Sequence, residues 1–225
     1  MYTLYAGKFS RALLVEMVLT ELDIDYRRID LDLLAEEQKT AEFLKINPSG
    51  WIPALVLMSG EVLYETAAIN LYLAENHAPP SLAPSIEDPY RGQFLSTLFA
   101  ITNDIEPAMK RYFYPHRYVL NPNKEIAQSV ETRALQAIGE RLKPFESRLD
   151  AGAKYLVNNR FSIVDITLAY WVHSLPKTFD FSATQGVKSV AEETINRPKL
   201  KPMFDQLRTW MDEYEERKKT GTANR

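Results

Sequence analysis

Residues 47–55 read Asn-Pro-Ser-Gly-Trp-Ile-Pro-Ala-Leu. Pro53 stands at the mouth of an apolar strand, a place proline usually avoids because it has no backbone N–H to donate. A proline there predicts a special turn, and a cis Ile52–Pro53 bond is a form that only proline adopts at low cost. Such a turn points the neighbouring N–H and C=O outward, where they can grip something extended. Further along, Glu65 and Thr66 open an apolar helical pattern. A carboxylate and a hydroxyl therefore stand where a helix offers free N–H groups and the positive end of its dipole. Taken alone, that pair reads better as simple helix capping. No cysteine is present, which excludes disulfides, thiolate metal sites and any thiol nucleophile supplied by the chain. The three histidines, His77, His116 and His173, are far apart, and no metal site is expected.

The elements that must position these residues are legible as patterns. Residues 2–6 read as a strand and residues 10–22 as a helix, with Leu14, Val18 and Leu22 on one stripe. Residues 26–31 predict a second strand and residues 36–46 a second helix. The runs Ala-Leu-Val-Leu-Met and Glu-Val-Leu-Tyr-Glu flank Ser59-Gly60, which predicts a hairpin with a two-residue turn. Residues 66–76 close the unit as a helix. The order βαβ, helix, ββα implies one small mixed sheet.

Four prolines (Pro79, Pro80, Pro84 and Pro89) then mark a stiff linker. Beyond it the pattern is helical, and residues 154–157 are the one remaining strand candidate. Asp88-Pro89 opens a helix through about residue 114, and Asn121-Pro122 opens another to residue 149, ended by Gly152 and bent at Pro144. Ser162 and Asp165 have capping-box spacing before an almost wholly apolar run, which places that helix at the centre of its domain. A shorter helix is predicted over 189–195, then a last amphipathic one with a frayed tail at 220–225. The expected organisation is an α/β domain (1–77), a Pro-rich linker (78–88) and an all-helical domain (89–225).

Composition narrows the function classes. The 225 residues are 45% hydrophobic and 25% charged, with a formal net charge of −3. That balance gives no broad electrostatic reason to bind nucleic acid or anionic lipid. No uncharged run reaches the roughly 20 residues of a membrane span. The first residues lack the layout of a signal peptide, so a soluble cytoplasmic protein is expected.

Three segments in this order carry a resemblance: Glu-Phe-Leu-Lys-Ile-Asn-Pro-Ser-Gly-Trp-Ile-Pro-Ala-Leu, Leu-Tyr-Glu-Thr-Ala-Ala-Ile-Asn-Leu-Tyr-Leu and Phe-Ser-Ile-Val-Asp-Ile-Thr-Leu-Ala-Tyr-Trp. Together they resemble the cis-proline loop, the third-helix opening and the buried capped helix of cytosolic glutathione transferases. The resemblance spans almost the full length and implies a thioredoxin-like N-terminal domain, a helical C-terminal domain and a homodimer. It also implies glutathione as co-substrate and a small electrophile as second substrate.

Carried over residue by residue, the resemblance assigns the cysteinyl backbone of glutathione to Ile52, with Pro53 holding the turn. The γ-glutamyl end falls to Glu65 and Thr66. Gln38, Lys39 and Trp51 stand near positions where some classes contact the glycyl end through histidines absent here. Asp104 stands where related proteins reach the glutathione amine of a partner subunit. In some classes a serine at the start of the first helix holds the thiolate, in others a tyrosine at the end of the first strand. Ser10 and Tyr5 fit these places, Ser10 being favoured, with Lys8 and Arg11 adding positive potential. In Met-Lys-Arg-Tyr-Phe-Tyr-Pro-His-Arg-Tyr (109–118), an aromatic wall with polar tips suits a flat electrophile. Phe113, Tyr114 and His173 are the candidates for that wall.

The expected function is a glutathione transferase acting on small, mainly apolar electrophiles. The alternatives are a non-catalytic carrier keeping the same site, or a glutathione-dependent dehalogenase or peroxidase. With no cysteine, exchange through a mixed disulfide with the protein is excluded.

Overall fold

The computed structural model describes residues 1–78 and 81–219, so Pro79, Pro80 and the tail read as frayed lie outside the described residues. Three stretches of alternating or continuous apolar sequence become β1 (Tyr2–Ala6), β3 (Ala54–Val56) and β4 (Val62–Tyr64), joined by the more polar β2 (Tyr26–Asp30). They form one mixed sheet in the order β2-β1-β3-β4. β1 runs parallel to β2, with Leu4 opposite Arg28, and antiparallel to β3, with Leu4 opposite Leu55. β3 and β4 are antiparallel, Leu55 facing Leu63.

Strand alternation separates the two faces. Tyr2, Leu4 and Ala6 of β1 are buried in the main core together with α1 (Ala12–Glu21) and α3 (Thr66–Asn76). Tyr5 points the other way, into a smaller cluster of Phe43, Ile52 and Ala54 under α2 (Ala41–Ile46).

Several predicted boundaries are corrected. The first helix starts at Ala12, not residue 10: residues 10 and 11 belong to the turn before it, where the Ser10 hydroxyl accepts the Ala12 N–H. Residues 36–46 are not one helix: Glu36 is left-handed (φ 56°), a short 3₁₀ turn spans Glu37–Lys39, and Thr40 then caps α2 by accepting the Phe43 N–H. The hairpin turn uses three residues, 58–60, with Leu57 N–H on the Glu61 carbonyl and Gly60 at φ 89°. A three-residue loop with glycine in the left-handed position is the other common hairpin solution.

The second half is helical throughout. The single predicted helix over 88–114 is α4 (Arg91–Ala100), a π-helical turn at Ile101–Ile105, and α5 (Glu106–Phe113). Next come a 3₁₀ turn (Pro115–Tyr118) and α6 (Lys124–Glu146), whose cap is Asn123, not Asn121: its side chain accepts the Ile126 N–H. Residues 154–157 form bends and turns instead of a strand, with Asn158 and Asn159 both left-handed. α7 (Ile163–His173) has the full capping box of Ser162 and Asp165, and its residues 163–172 are all buried. α8 (Gln185–Ile195) starts four residues before the predicted 189, and α9 (Lys201–Lys219) ends the described chain.

The two halves are joined by buried charge as well as apolar packing. Glu21 at the end of α1 accepts two hydrogen bonds from Arg197, at 2.9 and 2.8 Å, and the Arg197 guanidinium lies 3.5 Å from the centre of the Phe161 ring. Glu21 is almost wholly buried, so removing Arg197 leaves a desolvated carboxylate. Replacing Arg197 by Ala is expected to cost about 3 kcal/mol in urea unfolding. A loss below about 1 kcal/mol would instead class the pair with exposed salt bridges.

Candidate functional site

The loop before β3 is organised by Asn47. Its side chain donates to the Trp51 carbonyl at 2.7 Å and accepts from the Ser49 N–H and hydroxyl at 3.1 and 2.8 Å. Asn47 is buried, so these bonds form in a desolvated setting. Gly50 completes the bend at φ 63°, and the Ile52–Pro53 bond is cis.

Across from this loop lies the start of α3. Glu65 sits at φ 69° and ψ 111°, a conformation that costs a non-glycine residue about 1–3 kcal/mol and is concentrated at ligand sites. Thr66, the first helical residue, is 4% exposed, and among the described residues its hydroxyl has no hydrogen-bond partner. An unpaired buried hydroxyl is costly, so this one stands out. The first-turn N–H groups of α3 are open by the geometry of any helix N-terminus.

A shallow cleft joins these features. Asn47, Ser49, Trp51, Ile52 and Pro53 line it from the loop, Tyr64, Glu65 and Thr66 from the β4–α3 junction, and Arg11 from the start of α1. It brings together five of the predicted residues, Trp51, Ile52, Pro53, Glu65 and Thr66. Gln38 and Lys39 adjoin it: the Lys39 ammonium lies 4.5 Å from the centre of the Trp51 ring, and Gln38 Oε1 is buried without a partner among the described residues.

The other predicted residues are placed elsewhere. Ser10 is buried; its hydroxyl donates to the Gly7 carbonyl at 2.7 Å and accepts the Ala12 N–H at 3.3 Å. It locks the turn before α1 and does not line the cleft. Tyr5 packs on Phe43, 5.5 Å between ring centres, on the α2 face of the sheet. Asp104 is half-exposed on the π-helical turn, 3.7 Å from Arg141 of α6. Phe113 packs edge-on against Tyr112 and Tyr214, and its carbonyl accepts the Tyr214 hydroxyl at 3.1 Å. Tyr114 lies under the Arg117 guanidinium, 4.3 Å away. His173 is committed to the helical core: Nε2 donates to the Phe204 carbonyl at 3.0 Å and the ring packs edge-on against Phe204.

Three lining residues, Asn47, Ser49 and Tyr64, carried no separate sequence signal, although the Asn-Pro-Ser-Gly loop contains two of them. Arg11 was legible only as added positive potential. Its guanidinium pairs with Glu106 of α5, and Lys110 Nζ lies 2.9 Å from the same Glu106 oxygen. Lys8, the other basic candidate, is paired with Glu213 of α9 at 3.0 Å. Among the described residues no group of histidine and acidic side chains is placed to hold a metal, and no helix is long and apolar enough to cross a membrane.

Comparison with known proteins agrees with this architecture. The model of "Glutathione S-transferase, N-terminal domain" matches residues 1–75, and that of "Glutathione S-transferase, C-terminal domain" matches residues 104–218. The disulfide-bond oxidoreductase YfcG of Escherichia coli K12 is 29% identical over 191 residues, covering 82% of this chain and 85% of its own. The uncharacterized GST-like protein YncG of the same organism is 30% identical over 194 residues, covering 84% and 90%. Among solved structures, a glutathione transferase from Methylococcus capsulatus aligns at 28% identity with a TM-score of 0.73, over 92% of this chain and 98% of that one. The Phanerochaete chrysosporium transferase URE2P6, solved with oxidized glutathione, reaches a TM-score of 0.80 at 22% identity, over 93% and 97%, a likeness of fold.

The placement of His173 has a pH consequence. Burial first, then the nearby Arg208, pushes its imidazole from the ordinary 6.5 down to about 4. The unfolded chain therefore binds a proton between these values that the folded chain does not, and stability falls as the pH drops from about 6.5 to 4. Urea midpoints measured across this range should show a smaller acid loss for His173→Gln than for the wild type. Equal losses in the two proteins would mean that His173 is not the group responsible.

Proposed function

The chain belongs to the glutathione S-transferase family, and on that premise we propose that it binds glutathione in the cleft and joins its thiolate to small, mainly apolar electrophiles. The observation that carries the reading is the Thr66 hydroxyl, buried, without a partner among the described residues, and lining the cleft at a helix N-terminus. A carboxylate is the ligand that such a hydroxyl and the open N–H groups beside it accommodate best. In this reading the γ-glutamyl carboxylate meets Thr66, the γ-glutamyl amine meets Glu65, and the cysteinyl backbone pairs with Ile52 beside Pro53. Gln38, Lys39 and Trp51 serve the glycyl carboxylate.

The α/β domain, residues 1–77, carries the glutathione side; the linker 78–88 joins it to a helical domain, 89–225, that supplies the second-substrate wall. Tyr114 remains the wall candidate, whereas Phe113 and His173 are taken up by core contacts. The working unit in this reading is a cytoplasmic homodimer, with Asp104 available to a partner's glutathione. In the reaction the sulfur forms a bond to the electrophilic carbon, the leaving group departs with its electron pair, and the thiol proton passes to solvent.

A second reading draws on the relative named as a disulfide-bond oxidoreductase. With no cysteine in this chain, the bound glutathione itself would be the thiolate that attacks a disulfide sulfur, breaking that S–S bond and releasing the other half as a thiolate.

Calorimetric titration of glutathione into the wild type and Thr66→Val tests the shared premise. The variant is expected to bind about tenfold more weakly, the loss of one hydrogen bond to a charged group. Absence of binding by the wild type would sink the glutathione reading. Turnover of an activated aryl halide then favours conjugation, while reduction of a small disulfide without such turnover favours the second reading.

A further inference from the structure

A free thiol has a pKa near 8.5, so at neutral pH only a small fraction is the reactive thiolate. Something in the cleft must favour the charged form, and neither expected hydroxyl is placed to do so. Ser10 has one hydrogen, already given to the Gly7 carbonyl, while its oxygen accepts the Ala12 N–H. Redirecting it would undo the turn that launches α1. Tyr5 packs its ring on Phe43 under α2 and is not among the residues that line the cleft.

Arg11 meets the requirement. It is the only basic residue among those lining the cleft. The loop that carries it lies against Ile52: a side chain added at Gly7 would come within 3.0 Å of Ile52 Cδ1. A cysteinyl residue paired with the Ile52 backbone would therefore project its sulfur beside this loop. Among the described residues Arg11 makes one hydrogen bond, from Nη1 to Glu106, which leaves its remaining donors available. Glu106 also pairs with Lys110, so two cations share one nearly buried carboxylate and a net positive charge remains. The groups facing this cluster are Tyr114 beyond α5, Tyr170 from α7 and Glu65 across the cleft. Burial pushes the Tyr170 phenol well above its ordinary range and holds it neutral. Glu65 is the one further anion among the lining residues.

We propose that Arg11 is the catalytic residue that holds the glutathione thiolate, and that Glu106 is a positioning residue that fixes the guanidinium from the helical half of the molecule. The proposal rests on the glutathione reading. The thiol S–H ionises, its proton leaves to solvent, and the sulfur anion stays against the guanidinium until it attacks. The electrostatics of the thiol thus depend on both halves of the fold.

The test is to titrate the thiol of bound glutathione by its ultraviolet thiolate absorbance, with the affinity of S-methylglutathione measured in parallel. In the wild type the bound thiol should ionise about one to two pH units below free glutathione. Arg11→Gln should return it toward the free value and leave S-methylglutathione affinity unchanged, and Glu106→Asp, which keeps the charge but shortens its reach to the guanidinium, should move it part of the way. Arg11→Lys, which keeps the charge, should restore most of the depression and serves if the glutamine variant does not fold. Tyr5→Phe should leave the thiol unmoved. The assignment is overturned if the thiol titrates alike in wild type and Arg11→Gln, or if Tyr5→Phe raises it. It is equally overturned if Arg11→Gln weakens S-methylglutathione as much as glutathione, the mark of a carboxylate contact. Failure of the wild type to bind either ligand would overturn the glutathione reading along with it.

Discussion

Glu106 and Arg11 are 95 positions apart in sequence, yet one carboxylate oxygen on α5 anchors the guanidinium at the start of α1. The pair fixes where positive charge enters the cleft. Arg11 extends from a loop that has little freedom: Gly7 is pressed against Leu31, Leu33 and Ile52, Phe9 is left-handed, and Ser10 ties itself to Gly7. With the base of the side chain held by the loop and its tip by Glu106, the arginine is preorganised. Preorganised charge is effective because it needs no rearrangement when an anion forms.

The C-terminal helix braces the same region from outside. Trp210 of α9 packs on the Phe9 ring, with 5.5 Å between centres, and Glu213 pairs with Lys8. Further along α9, Glu215 accepts the Tyr112 hydroxyl at 2.9 Å and Lys218 pairs with Glu131 at 2.7 Å, tying the helix to α5 and α6. At the other end of α1, Arg197 clamps Glu21. The first helix is therefore gripped at both ends by residues far away in the chain, and the cleft inherits that rigidity. These contacts also use up much of the aromatic segment 109–118, because Tyr112 and Phe113 face α9 instead of an open wall.

Much of the fold was legible because its signals are local. The alternation of β1, the capping box of Ser162 and Asp165, and the all-round apolarity of α7 depend on residues a few positions apart. So do the Ile52–Pro53 turn and the Glu65-Thr66 helix start. The break at Thr40 was hidden because Glu37, Gln38 and Lys39 are good helix formers, so composition reads straight through it. The π-helical turn at 101–105 was hidden because a change of hydrogen-bond register is decided by packing, and leaves no residue-type mark. Ser10 shows the limit for a site residue. A serine before a helix reads alike as cap or catalytic donor, and only the direction of its one hydrogen separates them. Arg11 stayed in the background for the opposite reason: its importance comes from Glu106, and no local pattern links the two.

A crystal structure of the protein with glutathione bound would decide where the thiolate is held. The expected complex has the γ-glutamyl carboxylate on the Thr66 hydroxyl, the cysteinyl backbone on Ile52, and the sulfur within about 6 Å of the Arg11 guanidinium. Glutathione seated away from this cleft, or its sulfur resting on the Ser10 or Tyr5 hydroxyl with Arg11 turned aside, would contradict it.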